Sequence, residues 1–406
     1  MGRARRLVIG SAGAVAGYAS GKVLLRRRHR AAGYVLPEGD DLLGSARGRP
    51  EIVRGPRSSR IYTERFSAGP AAGSNGAGHG TDGKPAGTIV FTHGWCVTEA
   101  IWDRQKRDLA GGPHALLTWD LPGHGHSTPV ARDHLSLDLA VDALARVVDS
   151  IPDEEPLLLV GHSLGGVLSI GYLLRHSETA RRRVRGAVLA ATPLVNFAHS
   201  AAGRWPGASI QARILGQASQ LVVENGAVDR YFAREAGSRD TSAASYRLIR
   251  TGFGERPDPA QVLFVRDMAA SVPPSVRADT FRAMTGFDLR PRLGELATPM
   301  LLVVGGHDRL VNPDEAKELA PSIPHARVEE FTAAGHALFL EEHERFTELV
   351  RGFAAKRLGP RRPASVRAST RAPDRVPPPQ AGTNGATSAS GSQPRSGSGS
   401  RPGGLQ

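Results

Sequence analysis

The stretch Leu157 to His176 reads LLLVGHSLGGVLSIGYLLRH, and it constrains the chain more than any other. Leu157 to Val160 form an unbroken apolar run, the mark of a strand covered on both faces. From Leu164 the apolar residues Leu164, Val167, Leu168 and Leu174 fall at helical spacing. Between strand and helix stands Gly161-His162-Ser163-Leu164-Gly165, a sharp turn. A serine in so tight a turn sits in a strained backbone conformation, and its neighbours two positions away have no room for side chains. Gly161 and Gly165 meet that demand. The turn lifts the Ser163 hydroxyl clear of the sheet, at the N-terminus of a helix whose dipole favours developing negative charge.

Strand, turn and helix around G-x-S-x-G resemble the α/β-hydrolase family, in its serine hydrolase branch of esterases and monoacylglycerol lipases. The resemblance implies an α/β fold: a mostly parallel twisted sheet flanked by helices, with a helical cap inserted after the sixth strand. Other pieces of the chain match in order. Thr88 to Thr92 (TIVFT) reads as a strand running into His93-Gly94-Trp95. In the family, an HG dipeptide follows the third strand and the next backbone N–H forms half of the oxyanion hole. The resemblance assigns that donor to Trp95 and the other half to the N–H of Leu164. Gly94 lets the backbone approach the substrate carbonyl, Trp95 is placed to wall an acyl pocket, and His93 reads as a structural hydrogen-bonder. Leu121-Pro122-Gly123-His124-Gly125-His126-Ser127 after Asp120 resembles the family's D-x-P-G-x-G-x-S turn. Its His-x-His pair has no further ligands at suitable spacing, so neither a metal nor any other cofactor is expected.

Some members of the family carry an acid just after the strand that here reads GAVLAA (Gly186 to Ala191). This chain continues Thr192-Pro193-Leu194-Val195-Asn196, with no carboxylate. The next strand, Pro299 to Gly305, ends in Gly306-His307-Asp308-Arg309-Leu310-Val311. That G-x-D-x-x-V run is where the family places its catalytic acid, which assigns the role to Asp308. Asp314 and Glu315, near the start of a helix over Asn312 to Ala320, read as helix-dipole partners. A last strand, Ala326 to Phe331, precedes Gly335-His336, where the family places its base; His325 and His343 are weaker candidates. Ser163, Asp308, His336 is the chain order expected of this fold.

The remaining elements are read from patterning. Glu51 to Arg54 and Arg60 to Phe66 alternate as a hairpin of edge strands, and the seven glycines of Gly69 to Gly87 read as a loop. Thr98 to Leu109 reads as a helix, and Ala115 to Thr118 as a strand. Leu137, Val141, Leu144, Val148 and Ile151 make an amphipathic helix. The domain organisation expected is an α/β-hydrolase core over 50–193 and 299–355, with the cap over 194–298. Helical stretches such as Ala260 to Ala270 and Val276 to Met284 fall in the cap. Its apolar residues Phe253, Phe264, Met268, Met284 and Phe287 either line an acyl pocket or form the cap's own core.

The formal net charge of +13 belongs to the ends. Residues 1–30 hold eight Lys/Arg and no acid, and 356–406 hold nine and one, leaving the middle near neutral. No nucleic-acid motif accompanies this charge, so no nucleic-acid partner is expected. The single cysteine, Cys96, excludes an internal disulfide. Residues 7–25 are weakly apolar, just long enough to cross a bilayer of ~30 Å, with small residues at Gly13, Gly17 and Gly21. A membrane anchor is the preferred reading, which makes the protein membrane-associated. The competing readings are a twin-arginine export signal and a loose basic arm, which leave it exported or cytoplasmic. Residues 357–406 contain no aromatic residue and are rich in Pro, Ser, Gly and Arg, the composition of a disordered tail.

The resemblance implies hydrolysis of a small-molecule carboxylic ester, of apolar or lipid-like acyl character, through Ser163, His336 and Asp308. Serine at 163 argues against the epoxide hydrolases and haloalkane dehalogenases of this fold, which use aspartate. A cofactor-free haloperoxidase-like perhydrolase or a C–C bond hydrolase would use the same triad. A catalytically silent lipid-binding protein is the alternative of another class. Nothing in the sequence fixes an oligomeric state.

Overall fold

The computed structural model describes residues 43–69, 85–129, 136–196 and 242–359. Its centre is a sheet of eight strands: β1 (Arg49–Arg54), β2 (Arg60–Phe66), β3 (Thr88–Thr92), β4 (Ala115–Trp119), β5 (Leu157–His162), β6 (Val184–Ala190), β7 (Met300–Gly305) and β8 (Ala326–Phe331), in the order β1-β2-β4-β3-β5-β6-β7-β8. β1 and β2 are antiparallel to each other, and β2 to β4; all other pairs are parallel. This is the hairpin followed by a parallel run that the sequence pattern leads one to expect.

Alternation explains the apolar strands. Ile89 and Phe91 of β3, Leu158 and Val160 of β5, and Val188 and Ala190 of β6 point to one face, where Trp102, Phe339 and Phe346 cover them. Val90, Leu159, Ala187 and Leu189 point to the other face, under Val141, Leu144, Val148 and Leu168. With helices on both sides every position of β3, β4 and β5 is buried, so period-two alternation in sequence is lost there and a largely apolar run remains.

The helices are α1 (Asp103–Leu109), α2 (Leu137–Asp149), α3 (Leu164–Arg175), α4 (Ser177–Arg183), α5 (Ser242–Arg250), α6 (Pro259–Ser271), α7 (Pro274–Met284), α8 (Pro313–Leu319), α9 (Leu338–Glu341) and α10 (His343–Leu358). Three sequence expectations are corrected. The helix expected from Thr98 is a 3-10 turn, Glu99–Trp102, followed by α1, because Asp120 Oδ1 takes the Glu99 N–H at 2.8 Å and holds that first turn to the sheet. Ile151 lies beyond the end of α2, yet is buried in the turn that follows. α10 runs to Leu358, whose side chain is buried, so 357 and 358 belong to the folded body and not to the tail.

α5, α6 and α7 lie between β6 and β7, where the helical insertion was expected. Phe253, Met268 and Met284 are buried in the two cores that clothe the sheet, so they hold the insertion down; Phe264 and Phe287 are half-buried at the edges of the same cores. Residues 197–241 of the insertion, most of the glycine-rich loop, the 7–25 span and residues 360–406 lie outside the described residues. Among the described residues, no helix is long and apolar enough to cross a membrane.

Candidate active site

β5 ends at His162, and α3 begins at Leu164. Ser163 joins them with φ 51° and ψ −117°, a left-handed conformation that costs an L residue ~1–3 kcal/mol. The surroundings hold it there. The Ser163 N–H donates to Ala190 O at 2.9 Å, and Ser163 O accepts from Gly166 N–H at 2.9 Å. A Cβ on Gly161 would stand 2.6 Å from Gly165 C, and one on Gly165 would overlap Thr92 O. Gly166, which sequence reading passed over, is under the same demand: a Cβ there would overlap Thr192 Oγ1. Leu164 opens the helix, where geometry leaves an N–H without an intrahelical acceptor.

The loop after β3 lies against this turn. A Cβ on Gly94 would be 3.2 Å from Ser163 Cβ and 2.8 Å from His162 Nδ1. His93 fixes the loop's orientation: its Nδ1–H donates to Gly94 O at 2.7 Å, and its Nε2 accepts from Leu121 N–H at 2.9 Å. A trans peptide sets C=O and N–H on opposite sides, so the Trp95 N–H faces away from His93. Burial pushes the His93 imidazole well below its ordinary pKa, with His124 adding to the effect, so it stays neutral. The Trp95 indole donates to Arg277 O on α7 at 3.0 Å and packs on Phe281, with ring centroids 5.5 Å apart.

The Asp120 turn is a brace. Asp120 is buried and accepts from the N–H groups of Glu99 and His126, both at 2.8 Å; burial and the nearby Glu99 push its carboxyl up to about 8. His124 and His126 diverge: the first packs on His93 at 5.4 Å, the second on Tyr62 at 4.8 Å.

Asp308 follows β7 and is buried. Its Oδ1 accepts from Leu310 N–H at 2.8 Å and Val311 N–H at 2.9 Å. Its Oδ2 accepts from His336 Nδ1–H at 2.8 Å. His336 stands beyond β8, its ring 4.8 Å from that of His162, the neighbour of Ser163 in the chain. His162 also packs on Phe339 at 4.7 Å, and its Nε2–H donates to His336 O at 3.2 Å. Burial depresses the His162 pKa well below the ordinary value, helped by the nearby His336 and His93. The weaker candidates sit elsewhere: His343 approaches Asp108 at 4.0 Å, and His325 precedes β8.

Two acids have roles that sequence did not reveal. Glu315 Oε1 accepts from Leu194 N–H at 2.8 Å and Val195 N–H at 3.2 Å, tying the exit of β6 to α8. Glu341 accepts from the N–H groups of Gly254 and Gly335. Burial pushes the Glu341 carboxyl up, with Asp308 and Glu342 adding to it, while those two N–H groups oppose the shift.

The family model described as the alpha/beta hydrolase family matches residues 89–349, well over half of the chain. The chain belongs to the alpha/beta hydrolase family. Among relatives of this alpha/beta hydrolase, the pimeloyl-[acyl-carrier protein] methyl ester esterase of Photobacterium profundum is 28% identical over 273 residues, covering 65% of this chain and 93% of the relative. The enzyme of the same name from Xanthomonas campestris is 29% identical over 286 residues, covering 68% and 96%. The solved esterase of Thermogutta terrifontis superposes with a TM-score of 0.58 at 20% identity, covering 77% of this chain and 99% of that one. The enol-lactonase of Burkholderia xenovorans gives 0.56 at 19%, covering 75% and 100%. At that identity these structures establish the shared alpha/beta hydrolase fold.

Proposed function

We propose that the protein hydrolyses carboxylic esters, with Ser163 as nucleophile, His336 as base and Asp308 as the acid that orients the base. The observation that carries this reading is the 2.8 Å hydrogen bond from His336 Nδ1 to Asp308 Oδ2, made by a histidine whose ring packs on the neighbour of the strained Ser163. Ser163 Oγ attacks the ester carbonyl carbon while His336 Nε2 takes its proton. Asp308 keeps the proton of the other ring nitrogen in place and stabilises the imidazolium. The carbonyl oxygen, now an oxyanion, accepts from the N–H groups of Trp95 and Leu164, each worth about 3 kcal/mol of barrier. His336 returns the proton to the departing alkoxide, and the acyl group remains on Ser163. Water then attacks the acyl carbon, its proton passing through His336 to Ser163 as the carboxylic acid leaves.

The names of the relatives, methyl ester esterases of an acyl-carrier-bound chain, support an ester with a small alcohol as leaving group. Trp95 and Phe281, in ring contact beside the Gly94 loop, support an apolar acyl side. The described helices α5, α6 and α7, inserted between β6 and β7, are assigned to a cap on that acyl side. The test is turnover of p-nitrophenyl esters of increasing acyl length by the wild type and by Ser163→Ala. Serine-dependent hydrolysis is expected. A folded wild type that turns over no member of the series overturns the reading.

A further inference from the structure

One carboxylate pins two segments that are far apart in the chain. Glu341, the last residue of α9, accepts from Gly335 N–H at 2.9 Å through Oε1 and from Gly254 N–H at 2.7 Å through Oε2. Gly335 immediately precedes His336. Gly254 lies in the turn between α5 and α6, inside the insertion between β6 and β7. The same segments also meet backbone to backbone. Gly252 O accepts from His336 N–H at 2.7 Å and from Ala337 N–H at 3.3 Å. A Cβ on Gly335 would lie 2.7 Å from Gly254 N, so the two segments touch. Arg250 grips the turn from its other side, donating from Nη1 to Gly254 O at 2.8 Å.

The peptide before His336 sets where its ring points. At that position stands a glycine, which has no side chain to restrain its own backbone. The restraint comes from outside, through the Gly335 N–H held by Glu341 and the His336 N–H held by Gly252 O. A carboxylate accepting two backbone N–H groups makes charge-assisted bonds of fixed direction. We propose that Glu341 is a positioning residue for His336, locking the loop that bears the base onto the 252–254 turn so that base and insertion move as one body. This rests on His336 being the base. It assigns the β6–β7 insertion a part in catalysis distinct from covering the substrate.

Glu341→Gln separates this from a merely structural bond. The amide keeps one oxygen acceptor and turns an NH2 donor toward the other N–H, so one segment is released while volume is kept. A base displaced by ~1 Å costs on the order of 100-fold in rate. The experiment compares the full-length wild type, Glu341→Gln and Ser163→Ala by two readouts. In hydrogen exchange, peptides covering 250–256 and 332–340 are expected to exchange faster in Glu341→Gln, while β5 and β6 stay protected. With p-nitrophenyl butyrate, kcat is expected to fall roughly 10- to 100-fold, with KM within about twofold of wild type. Faster exchange with kcat unchanged makes Glu341 a structural residue and overturns the proposal, as does unchanged exchange at both peptides. A wild type that neither hydrolyses the ester nor reacts with a fluorophosphonate at Ser163 overturns the esterase reading itself. Exchange then reports only a clamp, and the positioning role falls with the base.

Discussion

His162 Nε2–H donates to the backbone carbonyl of His336 at 3.2 Å, and the two imidazoles pack 4.8 Å apart. The residue beside Ser163, the proposed nucleophile, therefore holds His336, the proposed base. His162→Phe keeps the ring that packs on Phe339 and His336 but removes the donor. Losing one such bond costs about 1 kcal/mol of stability, and a base freed by part of an ångström costs on the order of tenfold in kcat. His162→Gln, which retains an N–H donor, is expected to recover part of that loss. Steady-state kinetics on the two variants decide it: wild-type kcat in His162→Phe would mean that the bond positions nothing.

Buried neutral histidines make the protein acid-sensitive. Burial holds His93 and His162 well below the ordinary 6.5, and His124 at about 4. The unfolded chain protonates all three below about 6.5, and the folded chain does not, so stability is full above that pH and lost as pH falls. Asp120 acts in the opposite sense. Its carboxyl, raised from 3.8 to about 8, stays protonated in the fold where the unfolded chain has lost its proton, so its contribution is full below 3.8 and lost as pH rises toward 8. His114, also lowered by burial, acts with the three histidines, and Glu341, raised by burial, acts with Asp120. The histidines outnumber the carboxyls, so a net loss of stability is expected as pH falls from about 6 to 4.5. Urea unfolding midpoints at pH 7, 6 and 5 measure this. Equal stability at all three would contradict the buried neutral state of the histidines.

Strands β2, β3 and β8 fall where the sequence pattern places them, residue for residue. Their ends are set by local chemistry, chiefly the Gly- and Pro-bearing turns between them. The break at Trp102 was illegible because its cause is tertiary: the Asp120 carboxylate captures the Glu99 N–H, and Lys106 Nζ reaches Glu99 Oε2 at 2.6 Å. The turns that carry Ser163, Asp308 and His336 are legible because their glycines leave a pattern in the sequence. Glu341 and Glu315 were not. Each binds backbone N–H groups, which every residue except proline carries, so the partner end has no signature. Gly254 lies 87 positions from Glu341.

Close approach of α3 to β3 is a stability requirement that can be measured apart from activity. A methyl on Gly165 would overlap Thr92 O, part of a central strand that cannot yield. Gly165→Ala is expected to cost about 1–3 kcal/mol, lowering Tm by roughly 2–4 °C for each kcal/mol. Gly286 has open space where its Cβ would be, so Gly286→Ala serves as the control and should leave Tm near that of the wild type. Thermal unfolding of the pair is the measurement. Matching Tm values for both variants would deny the close approach.

Asp308→Asn separates charge from shape. Asp308 Oδ1 already holds the Leu310 and Val311 N–H groups, and an asparagine oxygen can go on doing so. The amide NH2 then faces His336 Nδ1, in the place of the Oδ2 that accepts its proton at 2.8 Å. Two donors cannot meet, so the imidazole moves its proton to Nε2, the nitrogen that the proposed mechanism needs free to accept from Ser163. The fold is expected to survive with Tm close to the wild type, while kcat falls by on the order of 10⁴. The loss should ease as pH rises far enough for hydroxide to deprotonate the serine directly. Kinetics from pH 6 to 10, alongside circular dichroism, test both halves. Activity near the wild type at pH 7 would mean that a carboxylate other than Asp308 orients the base.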